Sequence, residues 1–328
     1  MSATPKLSIG IPAYNQGEYL RETLASLVHQ VDASTEIVVS ENHSTDNTPA
    51  VLEEFAGRVR VVRPPVHMPM MAHWNYLVPQ LEGDWFALLS SDDRATPSYV
   101  RALRSGIALD PSAVLVRGAF DVIDGAGARL KRQRILSNRA VVHPPRTFLE
   151  QVAINKTSFA AFAFKRAAYD QLGGFDASFH LWGDWALWLK ASPLGAFVYV
   201  PEVIAEYRVN HRPGQLNARI RLELEDEMGI CLRVEPEVAA LLGSHAAAAQ
   251  RAVAVSSRRR FDVRLDQISR WIGSERWAEL AALVRPWAAS VGGEDRLAML
   301  ESGRPVLRRD LLGALRSRVR DVIGRWVD

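Results

Sequence analysis

Cysteine is almost absent from this sequence, and several other signatures are missing with it. Cys231 is the single cysteine among 328 residues, so neither an internal disulfide nor a cysteine-based zinc site can form. There is no glycine-rich dinucleotide fingerprint and no Walker A loop, which argues against a nicotinamide dehydrogenase and a P-loop ATPase. No apolar run approaches the ~18 residues of a spanning helix, and the polar start does not resemble a signal peptide. We therefore expect a soluble cytoplasmic protein.

Outside the last segment, no excess of positive or negative charge is present, because the two signs nearly balance. The sequence has 40 Lys and Arg against 37 Asp and Glu, a net charge of +3. Residues 304–328 contain seven Arg and three Asp, so the remaining chain is close to neutral. The basic pI of 9.1 therefore belongs to a tail, and we expect no nucleic-acid partner.

Two hydrophobic periods alternate along the first hundred residues. Apolar runs typical of buried strands occupy residues 7–12, 36–39, 59–62 and 85–89. Helical spacing occupies residues 17–30, 46–55 and 70–81. This alternation predicts right-handed βαβ units and a parallel sheet.

The pattern changes after Pro97. Strand-like segments follow at 113–123, 129–136, 158–164, 196–200 and 203–209, and helical segments at 98–109 and 182–191. From residue 215 onward nearly all of the chain has helical period. We expect an α/β domain over residues 1–214, divided near residue 97, and a C-terminal helical region over residues 215–328.

Polar residues follow three of the strand-like runs, where ligands of open parallel sheets bind. These clusters are Pro12-Ala13-Tyr14-Asn15, Ser40–Asp46 and Ser90-Ser91-Asp92-Asp93. A further carboxylate, Asp184, lies in a segment rich in tryptophan and leucine. The sequence therefore predicts a polar site at the carboxyl edge of the sheet.

These segments resemble the family 2 glycosyltransferases of the GT-A fold. The matching pieces run in the family's order over residues 6–214: Ile11–Asn15, Val38–Asp46, Gly83–Asp93, Gly173–Asp176, Asp184–Leu189 and Tyr207–His211. The resemblance implies a Rossmann-like, mostly parallel sheet with helices on both faces. It also implies transfer of a sugar from a nucleoside-diphosphate sugar to a saccharide or lipid-linked hydroxyl, as in bacterial-type polysaccharide and glycoconjugate synthesis. Residues 1–97 would bind the donor and residues 98–214 the acceptor.

The resemblance also assigns residues to the donor. Tyr14 would lie against the base, although ordinary packing over the sheet edge is the alternative. Glu41 stands where the family usually has an aspartate that contacts the base or ribose. Arg63 and Arg208 are further candidates for the phosphates. The full set of implied donor contacts is Pro12, Ala13, Tyr14, Asn15, Glu41, Asn42, Asn75, Ser91, Asp92 and Asp93.

A leaving pyrophosphate carries negative charge that a hard cation, Mn²⁺ or Mg²⁺, can neutralise. Asp92 is the expected metal ligand, and Asp93 would contact the sugar, support Asp92 or cap a helix. Ser90 replaces the first aspartate of the family motif, so one carboxylate is missing. His211 is a candidate for completing the ligand set, and a loop histidine without a ligand is the alternative.

Asp184 is the candidate general base. Trp182, Trp185 and Trp188 surround it in sequence, and an apolar setting raises the pKa of a carboxylate and makes it a better base. The resemblance implies that Asp184 deprotonates the acceptor hydroxyl in a single inverting displacement. A helix N-cap is the alternative role. Trp182 would stack on an acceptor sugar or belong to the core.

The last residues, 311–327, form a basic amphipathic pattern. Such a helix can lie on a membrane surface, which predicts a peripheral protein on the inner face of the cell membrane, or it can pack on the body or on a second subunit. A homo-oligomer is therefore also an expectation. Two rivals remain for the function: a nucleotidyltransferase, which lacks its expected phosphate loop here, and a non-catalytic sugar-nucleotide-binding or scaffold protein, which Ser90 favours.

Overall fold

The computed structural model describes residues 6–209, 215–272 and 274–302. The strands are β1 Leu7–Ala13, β2 Thr35–Glu41, β3 Arg60–Val62, β4 Trp85–Leu88, β5 Arg94–Ala95, β6 Ala113–Ile123, β7 Arg129–Gln133, β8 Ala140–Val142, β9 Phe162–Lys165 and β10 Ala196–Arg208. The α-helices are α1 Gly17–Leu27, α2 Thr48–Glu54, α3 Met70–Leu77, α4 Tyr99–Ile107, α5 Arg146–Ala153, α6 Arg166–Leu172, α7 Gly183–Ala191, α8 Gln215–Gly229, α9 Glu235–Ala240, α10 Ala246–Trp271, α11 Trp277–Val291 and α12 Glu294–Glu301.

The strands form one sheet in the order β3-β2-β1-β4-β9-β6-β10-β5, and β7 and β8 pair with β6 and β10. Strand β1 runs parallel to β2 and β4, and β2 runs parallel to β3. Strand β9 enters antiparallel between β4 and β6. The predicted α/β architecture of the GT-A type is thus confirmed.

Side chains of successive strand residues pack on opposite faces of the sheet, as the two-residue period of a strand requires. Ile9 of β1 belongs to a core that includes residues of α1, α2 and α4. Val38 of β2 belongs to the opposite core, which includes residues of α3, α6 and α7. Helices therefore cover both faces, which explains why the central strands are almost continuously apolar.

Several boundaries differ from the predicted ones. Helix α3 ends at Leu77 and continues as a 3₁₀ turn, Val78–Gln80, because Pro79 cannot donate a helical hydrogen bond. The two predicted strands at 196–200 and 203–209 are the single strand β10, whose register against β6 shifts between Val200 and Val203. The elements β5, β8, α5 and α6 were not predicted, and each spans eight residues or fewer.

The described residues form two compact units. The first contains the residues up to Thr147, Asn155–Ser178, and those from Gly183 to the gap before α8; the second contains Phe148–Ile154, Phe179–Trp182 and the helices from α8 onward. The core of the second unit includes Phe261 and Trp287. None of the helices in the described ranges combines the length and apolar character that crossing a bilayer takes. His211 and the predicted basic tail lie outside the described residues.

Candidate active site

The carboxyl ends of β1 and β2 are joined by hydrogen bonds between their loops. The Asn42 backbone N–H donates to the Ala13 carbonyl at 2.9 Å. Asn15, at φ 50°, accepts from the Thr45 N–H through its side-chain oxygen at 2.8 Å and donates its own N–H to Ser44 Oγ at 3.0 Å. The predicted donor segments 12–15 and 41–46 are therefore neighbours at one edge of the sheet.

Glu41 is buried, with 1% of its surface exposed. Arg63 Nε donates to its Oε2 at 2.6 Å, and Ser44 N–H donates to Oε1. Burial alone would raise the pKa of Glu41, but Ser44 and the Arg63 guanidinium lower it below the usual value, so the carboxylate is ionised. Arg63 is exposed and Glu41 is not. Arg63 is thus the charged group that faces solvent here, and the donor contact predicted for Glu41 stays a prediction.

An exposed aromatic pair follows β1. The Tyr14 ring, 44% exposed, lies with its centroid 4.4 Å from that of His67 at an interplanar angle of 41°. His67 Nδ1 lies 3.1 Å from the Asn42 carbonyl oxygen. No motif in the sequence marks His67, because its contact with Tyr14 depends on a loop that no short motif specifies.

The turn Ser90–Asp93 after β4 is anchored from two sides. Thr23 of α1 donates its hydroxyl to the carbonyls of Ser91 and Asp93 at 3.0 and 2.7 Å. Arg208 of β10 donates its backbone N–H to Asp93 Oδ1 at 2.8 Å and its Nε to the Asp92 carbonyl at 2.7 Å. Ser91 and Asp93 are buried, and Asp92 is half-buried.

Arg208 is a correction to the predicted phosphate contacts. Its side chain is 1% exposed and pairs with Glu22 at 2.7 Å. Its guanidinium also donates to the carbonyls of Asp124 and Gly125 and lies 4.5 Å from the Tyr19 ring centroid. Because these contacts use the guanidinium within the fold, Arg208 holds the aspartate turn and does not reach a phosphate.

The two aspartates lie side by side in this turn, and the charge of Arg208 offsets only part of the cost of burying them. Burial raises the pKa of Asp92, and burial together with the charge of Asp92 raises that of Asp93 well above its usual value. Asp93 Oδ2 is buried with no hydrogen-bond partner among the described residues. No three His, Cys, Asp or Glu side chains of the described residues lie close enough to share a metal ion. Mg²⁺ commonly binds one or two carboxylates plus substrate phosphates, so these residues fit a cation held largely by a diphosphate.

Asn75 joins α3 to the Gly173-Gly174-Phe175 motif. Its amide accepts from the Phe175 N–H at 2.9 Å and from the Tyr169 hydroxyl at 2.6 Å, and donates to the Phe175 carbonyl at 2.8 Å. A Cβ on Gly174, at φ 87°, would lie 2.8 Å from Asn75 Oδ1. This explains the glycine, and it shows that most of the Asn75 amide already has protein partners. The donor contact predicted for Asn75 stays a prediction.

Asp184 occupies the first turn of α7 and is 9% exposed. Gly183, where the family often has an acidic residue, begins the helix against α3: a Cβ there would lie 2.3 Å from Met71 Sδ. His73, on the same helix as Met71, lies with Nε2 2.8 Å from Ser40 Oγ near the end of β2. A side chain immediately before Asp184 would therefore have to displace Met71 of α3.

Trp182 belongs to the second of the two compact units. Asp226 of α8, 1% exposed, accepts the backbone N–H groups of His180, Leu181 and Trp182 at 2.6–3.1 Å. The Arg264 guanidinium lies 5.2 Å from the centroid of the half-buried Trp182 ring. Asp226 gave no signal in the sequence, because its partners are backbone groups about 45 residues away.

The sheet edge thus presents an exposed aromatic pair and a buried aspartate turn on an α/β fold of the GT-A type. The family model for glycosyl transferase family 2 matches residues 8–173, half of the chain. An uncharacterized glycosyltransferase of Haemophilus influenzae is 22% identical over 68% of this chain and 74% of its own length, whereas matches to two Rickettsia glycosyltransferases cover 21% and 65% of those proteins. The crystal structure of Staphylococcus aureus TarS 1–349 in complex with UDP-GlcNAc has a TM-score of 0.70 at 16% identity, over 98% of this chain and 91% of that one. The chain belongs to glycosyl transferase family 2.

Proposed function

We propose that this glycosyltransferase moves a sugar from a nucleoside-diphosphate sugar to a hydroxyl of a saccharide or lipid-linked acceptor, with inversion at the anomeric carbon. The observation that carries the proposal is the sheet edge itself. Three neighbouring parallel strands, β1, β2 and β4, are followed by Tyr14, by the loop after Glu41 and by the turn with Asp92 and Asp93. Ligands of open α/β sheets bind beyond these ends.

The donor nucleoside would lie along the β1 and β2 loops. Tyr14 and His67 offer exposed aromatic faces for the base, with Pro12, Ala13, Asn15 and Asn42 around it. Arg63 supplies a positive charge beside them. The fold match to TarS, which was solved with UDP-GlcNAc, supports a nucleoside-diphosphate sugar as the donor class.

Asp92 would hold a divalent cation, Mg²⁺ or Mn²⁺, and His211 is proposed as a further ligand. When bound, the cation would neutralise charge on the departing nucleoside diphosphate. Asp93 would keep the turn in place through the Arg208 backbone. Ser91, a buried residue of the same turn, would help to shape it.

Asp184 would accept the proton of the acceptor hydroxyl. The acceptor oxygen then bonds to the anomeric carbon as the bond to the diphosphate breaks on the opposite face, which inverts the configuration. Trp182 would stack on the acceptor sugar. We propose residues 1–214 as the catalytic domain, the helical region 215–328 as an accessory region, and a cytoplasmic location with peripheral contact to the inner membrane face.

The first test is a thermal-shift screen of UDP, GDP, dTDP and CMP, each with and without Mn²⁺ or Mg²⁺. A ligand that binds only the folded state raises the melting temperature. We expect one nucleoside diphosphate to give a metal-dependent shift that Asp92→Ala abolishes. Asp184→Asn should keep that shift and lose sugar transfer, and transfer that survives in this variant would rule out Asp184 as the base.

A scaffold protein that binds sugar nucleotides without transfer is the second candidate. The serine at position 90 and the missing three-ligand cluster among the described residues favour it. It predicts a nucleotide shift without metal dependence and no transfer to any acceptor. A metal-dependent shift together with donor turnover would exclude it.

A further inference from the structure

A basic segment of the first unit has no part in the proposed reaction. Between Gly125 and Leu149 the sequence contains no acidic residue and six cations: Arg129, Lys131, Arg132, Arg134, Arg139 and Arg146. Residues 129–139, strand β7 and the loop after it, are called the basic arm below. Its charge is a local feature of a nearly neutral body.

The basic arm is exposed on both faces. Among the described strands, β7 pairs only with β6, and the side chains from Arg129 to Arg132 are all exposed. Leu130 and Leu136 are 59% and 41% exposed. The register of β7 against β6 shifts between Lys131 and Arg129, which leaves Leu130 as an extra, unpaired residue of the strand, and Arg129 and Arg132 both reach Asp121.

Neighbouring carboxylates neutralise only part of this charge. Asp121 accepts from Arg132 at 2.8 Å and lies 3.6 Å from Arg129. Glu202 lies 3.1 Å from Arg139. Within the described ranges, Lys131 and Arg134 have no carboxylate within ion-pair distance. The arm therefore presents uncompensated cations beside exposed leucines.

We propose that the basic arm binds the anionic headgroups of a lipid bilayer. Cations next to exposed aliphatic side chains are the combination that a membrane interface accommodates, because the charges meet the phosphates while the leucines enter the acyl boundary. A purely ionic partner would leave Leu130 and Leu136 in water. The arm is a contact separate from the tail at 304–328, and it would hold the enzyme at the surface where lipid-linked acceptors reside.

Co-sedimentation of the full chain with vesicles tests the proposal. The vesicles are phosphatidylcholine alone, and phosphatidylcholine with phosphatidylglycerol, at about 0.1 M salt. We expect binding to the anionic vesicles only, weakened at least about tenfold by Lys131→Ser with Arg134→Ser. Leu130→Ser with Leu136→Ser should also weaken it. The matched control, Arg58→Ser with Arg101→Ser, removes two exposed cations elsewhere in the same unit and should bind as the wild type does.

Two results would overturn the proposal. One is a wild-type chain that ignores anionic vesicles. The other is a Lys131→Ser, Arg134→Ser variant that binds anionic vesicles as tightly as the wild type does. If that variant has also lost binding to soluble polyphosphate, the arm binds a phosphate-bearing polymer instead of a bilayer. Melting temperatures close to that of the wild type show that the variants are folded. Vesicle binding needs neither donor nor acceptor, so its outcome is independent of the transferase assay.

Discussion

Gly183 decides how closely the helix with the proposed base can approach α3. A Cβ in place of its hydrogen would lie 2.3 Å from the sulfur of Met71. Met71 is itself buried, with 2% of its surface exposed. Buried atoms in a well-packed core cannot move aside without cost. A larger residue before Asp184 would therefore have to displace the buried side chain of Met71.

We expect Gly183→Ala to lower the free energy of unfolding by about 1–3 kcal/mol, the usual cost of overpacking. Met71→Ala alone leaves a cavity and is also destabilising. Combined in one chain, the two changes should cost less than their sum, because the new methyl group fills part of the space that Met71 vacates. Urea denaturation of the four proteins measures this coupling. Strictly additive losses would show that the contact between Gly183 and Met71 is not tight.

At the same scale, the roles of single residues were only partly predictable. The positions of the aspartate turn and Tyr14 at the sheet edge were predictable, because the carboxyl ends of neighbouring parallel strands lie at the same edge of the sheet. The sequence does not tell whether Arg63 or Arg208 is exposed, since each is an arginine near a strand end. Only the fold shows that Arg63 is exposed beside Glu41, whereas Arg208 is buried against Glu22.

Among the elements, those with long and regular patterns were predicted within a few residues. Strands β1, β2 and β6 and helix α1 belong to this group because their buried faces impose a period on the sequence. Strand β5, with two residues, is formed through its pairing with β10 at Glu206 and Ala205. Such pairing is a tertiary contact, and no local window of sequence contains it.

Helix α8 holds the segment from His180 to Trp182 through the carboxylate of Asp226. We expect Asp226→Ala to lower the free energy of unfolding by about 2–4 kcal/mol, because it leaves three consecutive backbone N–H groups, from His180 to Trp182, without their acceptor. Asp226→Asn keeps one acceptor oxygen and should lose less. The control is Glu237→Gln, an exposed carboxylate on α9, which should be nearly neutral. Chemical denaturation gives the values, and equal stability of the Asp226→Ala and control proteins would contradict the assigned contacts.

For the whole molecule, the response to acid depends in part on a buried histidine of helix α3. His73 is 3% exposed and lies against Ser40 at 2.8 Å. Burial, and to a smaller extent the charge of His67, lowers its pKa to about 4, whereas a histidine in an unfolded chain has a pKa of about 6.5. Between these values the unfolded chain binds more protons than the folded one. Stability therefore falls as the pH decreases through this window.

As the pH falls from 7 to 5, we expect the difference in proton binding at His73 to lower the free energy of unfolding by about 2 kcal/mol. His73→Gln does not titrate and can still hydrogen bond to Ser40, so its stability should fall by about 2 kcal/mol less over the same interval. Urea denaturation at pH 7, 6 and 5 compares the two proteins. Carboxylates with lowered pKa values, such as Glu36, titrate below this window and are common to both. Parallel curves would mean that folded His73 accepts a proton as readily as an unfolded histidine does, in which case the imidazole is not enclosed between α3 and β2 as described.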